Sequence, residues 1–402
     1  MISFEEALET VLAHAPIPES RQSSLEQALG AVLMETITSD IPMPPFHRSA
    51  VDGYALPGPG SIFPLDREIT ASPGTPEPLS PGHAAPIMTG APVPEGADRI
   101  VMIEFTCLNR GNLQVRRMPS RGENICFQGE DVARGSVVLR PGTVLSPAAL
   151  GVAAMAGRSS LLVARKPMIA LMTTGDEVIS PDRIPGPGEI RNANGVLGCS
   201  LLSAAGFGPV SVCHSPDSPE ALKEAAAAAL EGADVLLVAG GVSMGTRDFV
   251  PSVMKELGFR FLFEGVAQKP GKPLCFAVRN GKTFFGLPGN PVSVLVALEE
   301  VVIPFLRKSS GFTRFRKKRF TGRMAHDLRK KPGRTQFFRA TAVAGEPGFL
   351  ISVPETRGSG DLMSAVAANC LVVLSEGSFG ASRGEEAPFS FLGSFAGETV
   401  FS

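Results

Sequence analysis

Between residues 166 and 308 short apolar runs alternate with helical stretches, and this spacing leaves little freedom of architecture. Met168 to Met172 and Val235 to Val238 are too short and too apolar for anything but buried strands, and Val210 to Cys213 adds a third. The intervening segments carry helix signals. Val196 to Ala205 is closed by Gly206. Asp217 stands as an N-cap with Glu220 three residues on, ahead of an alanine run that ends at Gly232. Phe249 to Leu257 and Pro291 to Leu306 complete the series. Strands and helices that alternate with short connections predict an α/β domain with a doubly wound parallel sheet over residues 165–308.

The flanks read differently. Ser3 with Glu6 forms a capping box ahead of an apolar stripe at Phe4, Leu8, Val11 and Leu12. A second stripe at Leu25, Leu29, Val32 and Leu33 predicts a second helix, ended by Pro42, Pro44 and Pro45. Residues 144–164 return to helix and then to an apolar strand, so 1–42 and 142–164 are assigned to one discontinuous helical and extended domain. Residues 43–141 break into short apolar runs among prolines and glycines, which predicts an inserted β-rich domain. Residues 309–402 lose the helical alternation and read as a C-terminal β-barrel domain. With 44 Gly and 35 Pro in 402 residues, a long bundle or coiled coil is excluded.

Lys and Arg number 38 against 39 Asp and Glu, so the chain lacks the broad basic field of a general nucleic-acid binder. The cations between Arg307 and Arg339 read as a solvated linker and a guarded strand edge, with no recognition helix or stacking aromatics beside them. The six cysteines form no CxxC pair, which argues against a zinc site and for buried reduced thiols. The amphipathic, acidic N-terminus is no signal peptide, and no long apolar run spans a membrane. A soluble cytoplasmic protein is the expectation.

Ligands of open parallel sheets bind beyond the carboxyl ends of the strands. Four loops fall there: Thr173 to Glu177, the turn at Asp217, Gly240 to Gly245 running on to Asp248, and Leu287 to Pro291. Glycines let backbone amides approach a phosphate closely, and Ser243 adds a hydroxyl. The loop is neither GxxxxGK[ST] nor GxGxxG, and alone it also reads as a tight βα turn. Lys269 and Lys272 supply cations. Glu177, Asp217 and Asp248 offer hard oxygen ligands for Mg²⁺, with helix capping as the structural alternative.

Taken together, the blocks PPFHRSAVDGYA, MTGAPVPEGADRIVMIE, GENICFQGEDVARG, TTGDEV, GGVSMGTRDFV, KPGKP, LPGNPVSV, PGRTQFFRA and GSGDLMSAVAAN resemble, in order and spacing, the molybdopterin molybdotransferase family, the bacterial MoeA proteins and the gephyrin E domain. That resemblance implies a four-part subunit that forms a homodimer. It implies insertion of molybdate into adenylated molybdopterin with Mg²⁺-dependent release of AMP. A molybdopterin adenylyltransferase would supply the substrate, and molybdoenzyme maturation proteins would receive the product. It assigns catalytic positions to Asp52, Thr89, Asp131, Glu177 and Asp248, and metal positions to Glu177, Asp217 and Asp248. Substrate would be held by Gly240, Gly241, Ser243, Gly245, Lys269, Lys272, Pro288 and Pro291, and the oxyanion by Arg339 and Ser359. The chain departs from the family pattern at Cys126, where arginine is usual, at His47, where an acid is usual, and at Gly265, often a cation. A molybdopterin-binding scaffold, a tungstate-preferring paralogue and the adenylation step itself are the competing readings; the carboxylates at the strand ends favour transfer chemistry.

Overall fold

The computed structural model describes residues 1–208, 210–243, 248–355, 358 and 360–393. The chain divides into two compact units, Met1–Arg21 with Ala164–Ser402, and Gln22–Val163.

In the first unit the predicted helix α1 forms at Phe4–Ala13, with both arms of the Ser3–Glu6 capping box made. The α/β layer contains β1 (Ile169–Thr174), α2 (Ala193–Ala204), β2 (Val210–Ser215), α3 (Pro219–Gly232), β3 (Val235–Ala239), α4 (Val250–Glu256), β4 (Arg260–Glu264), β5 (Gln268–Lys269), β6 (Cys275–Arg279), β7 (Lys282–Leu287) and the long helix α5, residues 291–309. The sheet order is β2-β1-β3-β7-β6-β4. The first four strands are parallel. Strands β6 and β4 extend the sheet antiparallel. That extension has a sequence signal: Asn280-Gly281 joins β6 to β7 with positive φ at both residues (44° and 78°), the geometry of a two-residue hairpin turn.

Alternate residues of each strand enter opposite layers, as a pleat requires. Leu171, Leu237 and Phe285 pack in one core with α1, Leu202 of α2 and the apolar face of α5. Met172, Leu236, Val238 and Phe284 pack in another with Leu222 and Leu230 of α3 and Val253 of α4.

The C-terminal strands β8 (Phe320–Met324), β9 (Thr335–Gly345), β10 (Gly348–Ser352), β11 (Cys370–Leu374) and β12 (Glu386–Phe391) run in the order β9-β10-β8-β12-β11, and β11 pairs back onto β9 to close a five-stranded barrel. Phe320, Phe349, Phe389 and Phe391 pack against one another there at tilted and edge-to-face angles. Strand β5 adds to the barrel parallel to β9, with Lys269 opposite Gln336.

The basic stretch is only partly solvated. Arg307 is buried with its guanidinium on the Arg314 carbonyl, and Lys317 and Arg319 pair with Glu299 and Glu300, which α5 buries at a single wide π turn (Leu298–Val302). Five aliphatic residues (Val294 to Leu298) precede Glu299 and Glu300 and more follow them, so helical periodicity alone does not show which residues face the barrel.

In the second unit the stripe at Leu25–Leu33 does not form a helix. Three successive i to i+3 turns run from Ser24 to Ala31, Gly30 sits at φ 70°, and Val32 and Leu33 bridge Val144 and Val163 as extended chain. Tertiary pairing overrides a weak local pattern here. A helix does form at Pro147–Met155, capped by the Ser146 side chain. The rest is β-rich, with a three-stranded sheet of Ala85–Ile87, Gly53–Leu56 and Arg99–Met102 and a second of Ile62–Pro64, Asn112–Val115 and Thr106–Asn109.

Candidate functional site

The tips of β1 and β2 are tied by side chains that the sequence places there. Thr174 ends β1, and its hydroxyl donates to Asp217 Oδ1 at 2.5 Å. Asp176 Oδ1 accepts from the Asp217 amide at 3.0 Å. Asp217 is therefore not the cap of α3. Ser218 takes that role, its side chain accepting from the Ala221 amide, so the Asp217 carboxylate is turned toward the strand tips. Asn192 joins the same cluster, capping α2 through the Gly195 amide while donating to the Thr173 hydroxyl at 2.8 Å.

The glycine loop packs directly on this cluster. Gly240 adopts φ 107°, and a Cβ there would stand 2.7 Å from the Thr174 carbonyl oxygen. Gly241 has φ 62°, and its Cβ would stand 2.8 Å from Val250. Only glycine lets β3 turn this closely over β1. The Asn194 amide donates to the Gly289 carbonyl at 2.7 Å and so joins α2 to the Pro288-to-Pro291 loop. Pro291 is the first residue of α5, where its fixed φ suits a helix start.

Around these ties lies a cavity of about 310 Å³ lined by Thr174, Glu177, Asp217, Gly240, Ser243 and Asp248. A larger one of about 1130 Å³ shares Glu177, Ser243 and Gly289 with it, and its wall includes Lys269, Lys272, Pro288 and Arg339. The structure thus brings together most of the residues expected for this domain. Gly245 and Ser359 lie outside the described residues.

Three expectations change. First, Glu177, Asp217 and Asp248 share a cavity without closing on one point: among the described residues no three His, Cys, Asp or Glu side chains gather into a ligand set. The all-oxygen donors still fit a hard cation that keeps water and takes ligand oxygens as well. Second, Arg339 is buried and holds its own loop. Its guanidinium donates to the Asp361 carbonyl at 2.7 Å and the Gly358 carbonyl at 3.2 Å, and burial pulls its pKa down. Its first effect is to tie Gly358 and Asp361 to β9. Third, the thiols are all free but only Cys275 and Cys370 are fully buried, and burial pushes both up to about 12.

In the second unit, Asp52 and Thr89 meet although 37 residues apart. Asp52 Oδ1 accepts from the Thr89 amide at 2.7 Å and its hydroxyl at 2.9 Å, which holds the carboxyl below its usual range. Asp131 is exposed on a turn bound to residues 43–47: its amide donates to the Met43 carbonyl, and the Gln128 amide donates to His47 Nδ1. Cys126 stands opposite Arg48 across a short antiparallel pair. Gly265 adopts φ 102°, so a side chain at that position would be strained.

Thr174, Asn192 and Asn194 were not singled out from sequence. Their signal was a polar residue at each junction between an apolar strand or helix and its loop.

A glycine turn and strand-tip carboxylates over a mixed sheet, joined in one chain to a closed barrel and a β-rich unit, define a multidomain protein with an α/β ligand-binding domain. Residues 170–308 match the model of the probable molybdopterin binding domain, 2–157 the MoeA N-terminal region (domains I and II) and 321–392 the MoeA C-terminal region (domain IV). The chain is 32% identical over 407 residues to the molybdopterin molybdenumtransferase of Haemophilus influenzae, covering 98% of this chain and 100% of that one. It is 30% identical to the enzyme of the same name from Staphylococcus epidermidis, covering 95% and 94%. A molybdopterin biosynthesis MoeA protein of Pyrococcus horikoshii superposes with a TM-score of 0.79 at 28% identity, over 97% of this chain and 100% of that one. The chain belongs to the MoeA family.

Proposed function

We propose that this protein is a molybdopterin molybdotransferase that inserts molybdate into adenylated molybdopterin and releases AMP, completing the molybdenum cofactor. The observation that carries the reading is the pair of joined cavities at the strand tips, with carboxylates and the glycine turn in the smaller and lysines in the larger. The Gly240–Gly241 turn, packed on Thr174 and Val250, lines the smaller cavity, where its backbone would face a phosphate. Lys269 and Lys272 offset the charge of the phosphoanhydride. Glu177, Asp217 and Asp248 would hold Mg²⁺, whose charge, when bound, neutralises phosphate oxygens. Thr174 and Asp176 fix the Asp217 carboxylate before any ligand arrives. Arg339 holds Gly358 and Asp361 by their carbonyls, and Gly358 lines the larger cavity, where molybdate would be received. The chemistry requires positioning and electrostatics and no protein nucleophile.

Asp52, held ionised by Thr89, together with Asp131 would act in a homodimer, with an adenylyltransferase upstream and molybdoenzyme maturation proteins downstream. A cytoplasmic setting fits these partners. Among the described residues no helix is long and apolar enough to cross a membrane. The deciding experiment mixes the protein with adenylated molybdopterin, Mg²⁺ and molybdate and follows AMP. One AMP per cofactor formed, dependent on molybdate, is expected; no AMP under any metal condition would overturn the reading.

A further inference from the structure

A third hollow, of about 610 Å³, opens beside the larger cavity and shares Lys269, Arg334 and Gln336 with it. Its remaining wall is residues 329–332, and no carboxylate lines it. We propose that this hollow is a separate anion subsite that takes a compact oxyanion carrying at least two negative charges, of the phosphate class.

Two observations carry this. The wall is rigid. Lys330 is buried with its ammonium donating to the Ser375 and Ser378 carbonyls, both at 2.8 Å. The adjacent strand Leu328–Arg329 pairs with Gly380–Ala381 so tightly that a Cβ on Gly380 would fall 2.0 Å from the Leu328 carbonyl oxygen. The cations on that wall are also uncompensated. Arg329, Lys331, Arg334 and Lys269 are exposed, and none forms a salt bridge among the described residues, whereas Lys317 and Arg319 of the same basic stretch are each paired with a glutamate. Glu376, whose charge bears on Lys330, lies outside the lining. Because the chain carries net −1, this positive potential is local to the hollow. Like charges displayed around one concavity repel until an anion enters, and the repulsion relieved adds to the anion's affinity.

The anion can arrive free, or as the phosphate end of a ligand already seated in the larger cavity. Equilibrium dialysis of the full-length protein with inorganic pyrophosphate tests the first source, and with AMP the second. Arg329→Gln with Lys331→Gln removes two charges outside the larger cavity. Arg323→Gln, exposed on β8, is the control. A loss of pyrophosphate affinity of at least tenfold in the double variant, with the control unchanged and a shallower salt dependence, is expected for a free ion. A matching loss for AMP alone identifies the tethered source and also supports the subsite. Wild-type affinity for both ligands in the double variant overturns it. So does a short acidic peptide or single-stranded DNA that binds more tightly than pyrophosphate and is lost in the same variant. The readout is binding, so the result stands whether or not the protein releases AMP from adenylated molybdopterin.

Discussion

Arg319→Ala is expected to destabilise the first unit more than Glu300→Ala, although both break the same pair. Arg319 donates to Glu300 Oε1 at 3.0 Å and Oε2 at 2.5 Å, and Ser390 bridges the two. The partners differ in surroundings: the Glu300 side chain is 1% exposed and that of Arg319 34%. Removing arginine strands a carboxylate deep beside α5 with, among the described residues, the Ser390 hydroxyl as its remaining partner, at a cost of about 3–5 kcal/mol. Removing glutamate leaves a guanidinium that still reaches water, at about 1–3 kcal/mol. The double variant should lie closer to wild type than Arg319→Ala alone, since neither charge is then orphaned. The chain has no tryptophan, so scanning calorimetry is the suitable assay. For a domain of this size the Arg319→Ala shift is roughly 5–15 °C. Equal costs, a reversed order, or two changes each below about 1 kcal/mol would refute the burial argument.

Further outcomes follow from the site. Asp248→Ala should lower AMP release by about a hundredfold with the thermal midpoint nearly unchanged; a large drop in midpoint would mark the residue as structural. Thr174→Val should lower kcat through a misdirected Asp217 while leaving α3 intact, because Ser218 caps it; circular dichroism and single-turnover rates separate the two effects. The Thr89 backbone amide is the larger cause of the low Asp52 carboxyl and its hydroxyl the smaller; Thr89→Val removes only the hydroxyl bond, so the titration in carboxyl-carbon NMR should move part of the way up toward the ordinary carboxylate value. In the wild type a depressed folded pKa favours the native state above the unfolded pKa, and that contribution is lost as pH falls through the folded pKa. Gly240→Ala puts a methyl against the Thr174 carbonyl at positive φ and should abolish ligand binding; wild-type affinity would mean the turn can shift.

Much of this was legible in the sequence because apolar runs and caps report local structure directly. The buried strands, the Ser3–Glu6 box and the barrel needed only period and turn residues. What escaped depended on contacts distant in the chain. Leu25 to Leu33 carries a helical stripe, yet Val144 and Val163 claim it as extended chain. Asp217 and Ser218 both have the chemistry of an N-cap, and the choice is made by Thr174, 43 residues away. Arg339 read as an anion ligand because nothing in its neighbourhood showed that Gly358 and Asp361 carbonyls would occupy its guanidinium. The Asn280-Gly281 turn was a readable signal for the antiparallel extension, and the parallel pattern before it masked its meaning.

The central claim is that one crevice beyond the strand tips receives the adenylated pterin. A crystal structure of the protein soaked with adenylated molybdopterin tests it most directly. Density for the phosphoanhydride against Gly240, Gly241 and Ser243, within reach of Lys269 and the Asp217 carboxylate, is the expected result. Density for the nucleotide seated away from β1, β2 and β3 would contradict it.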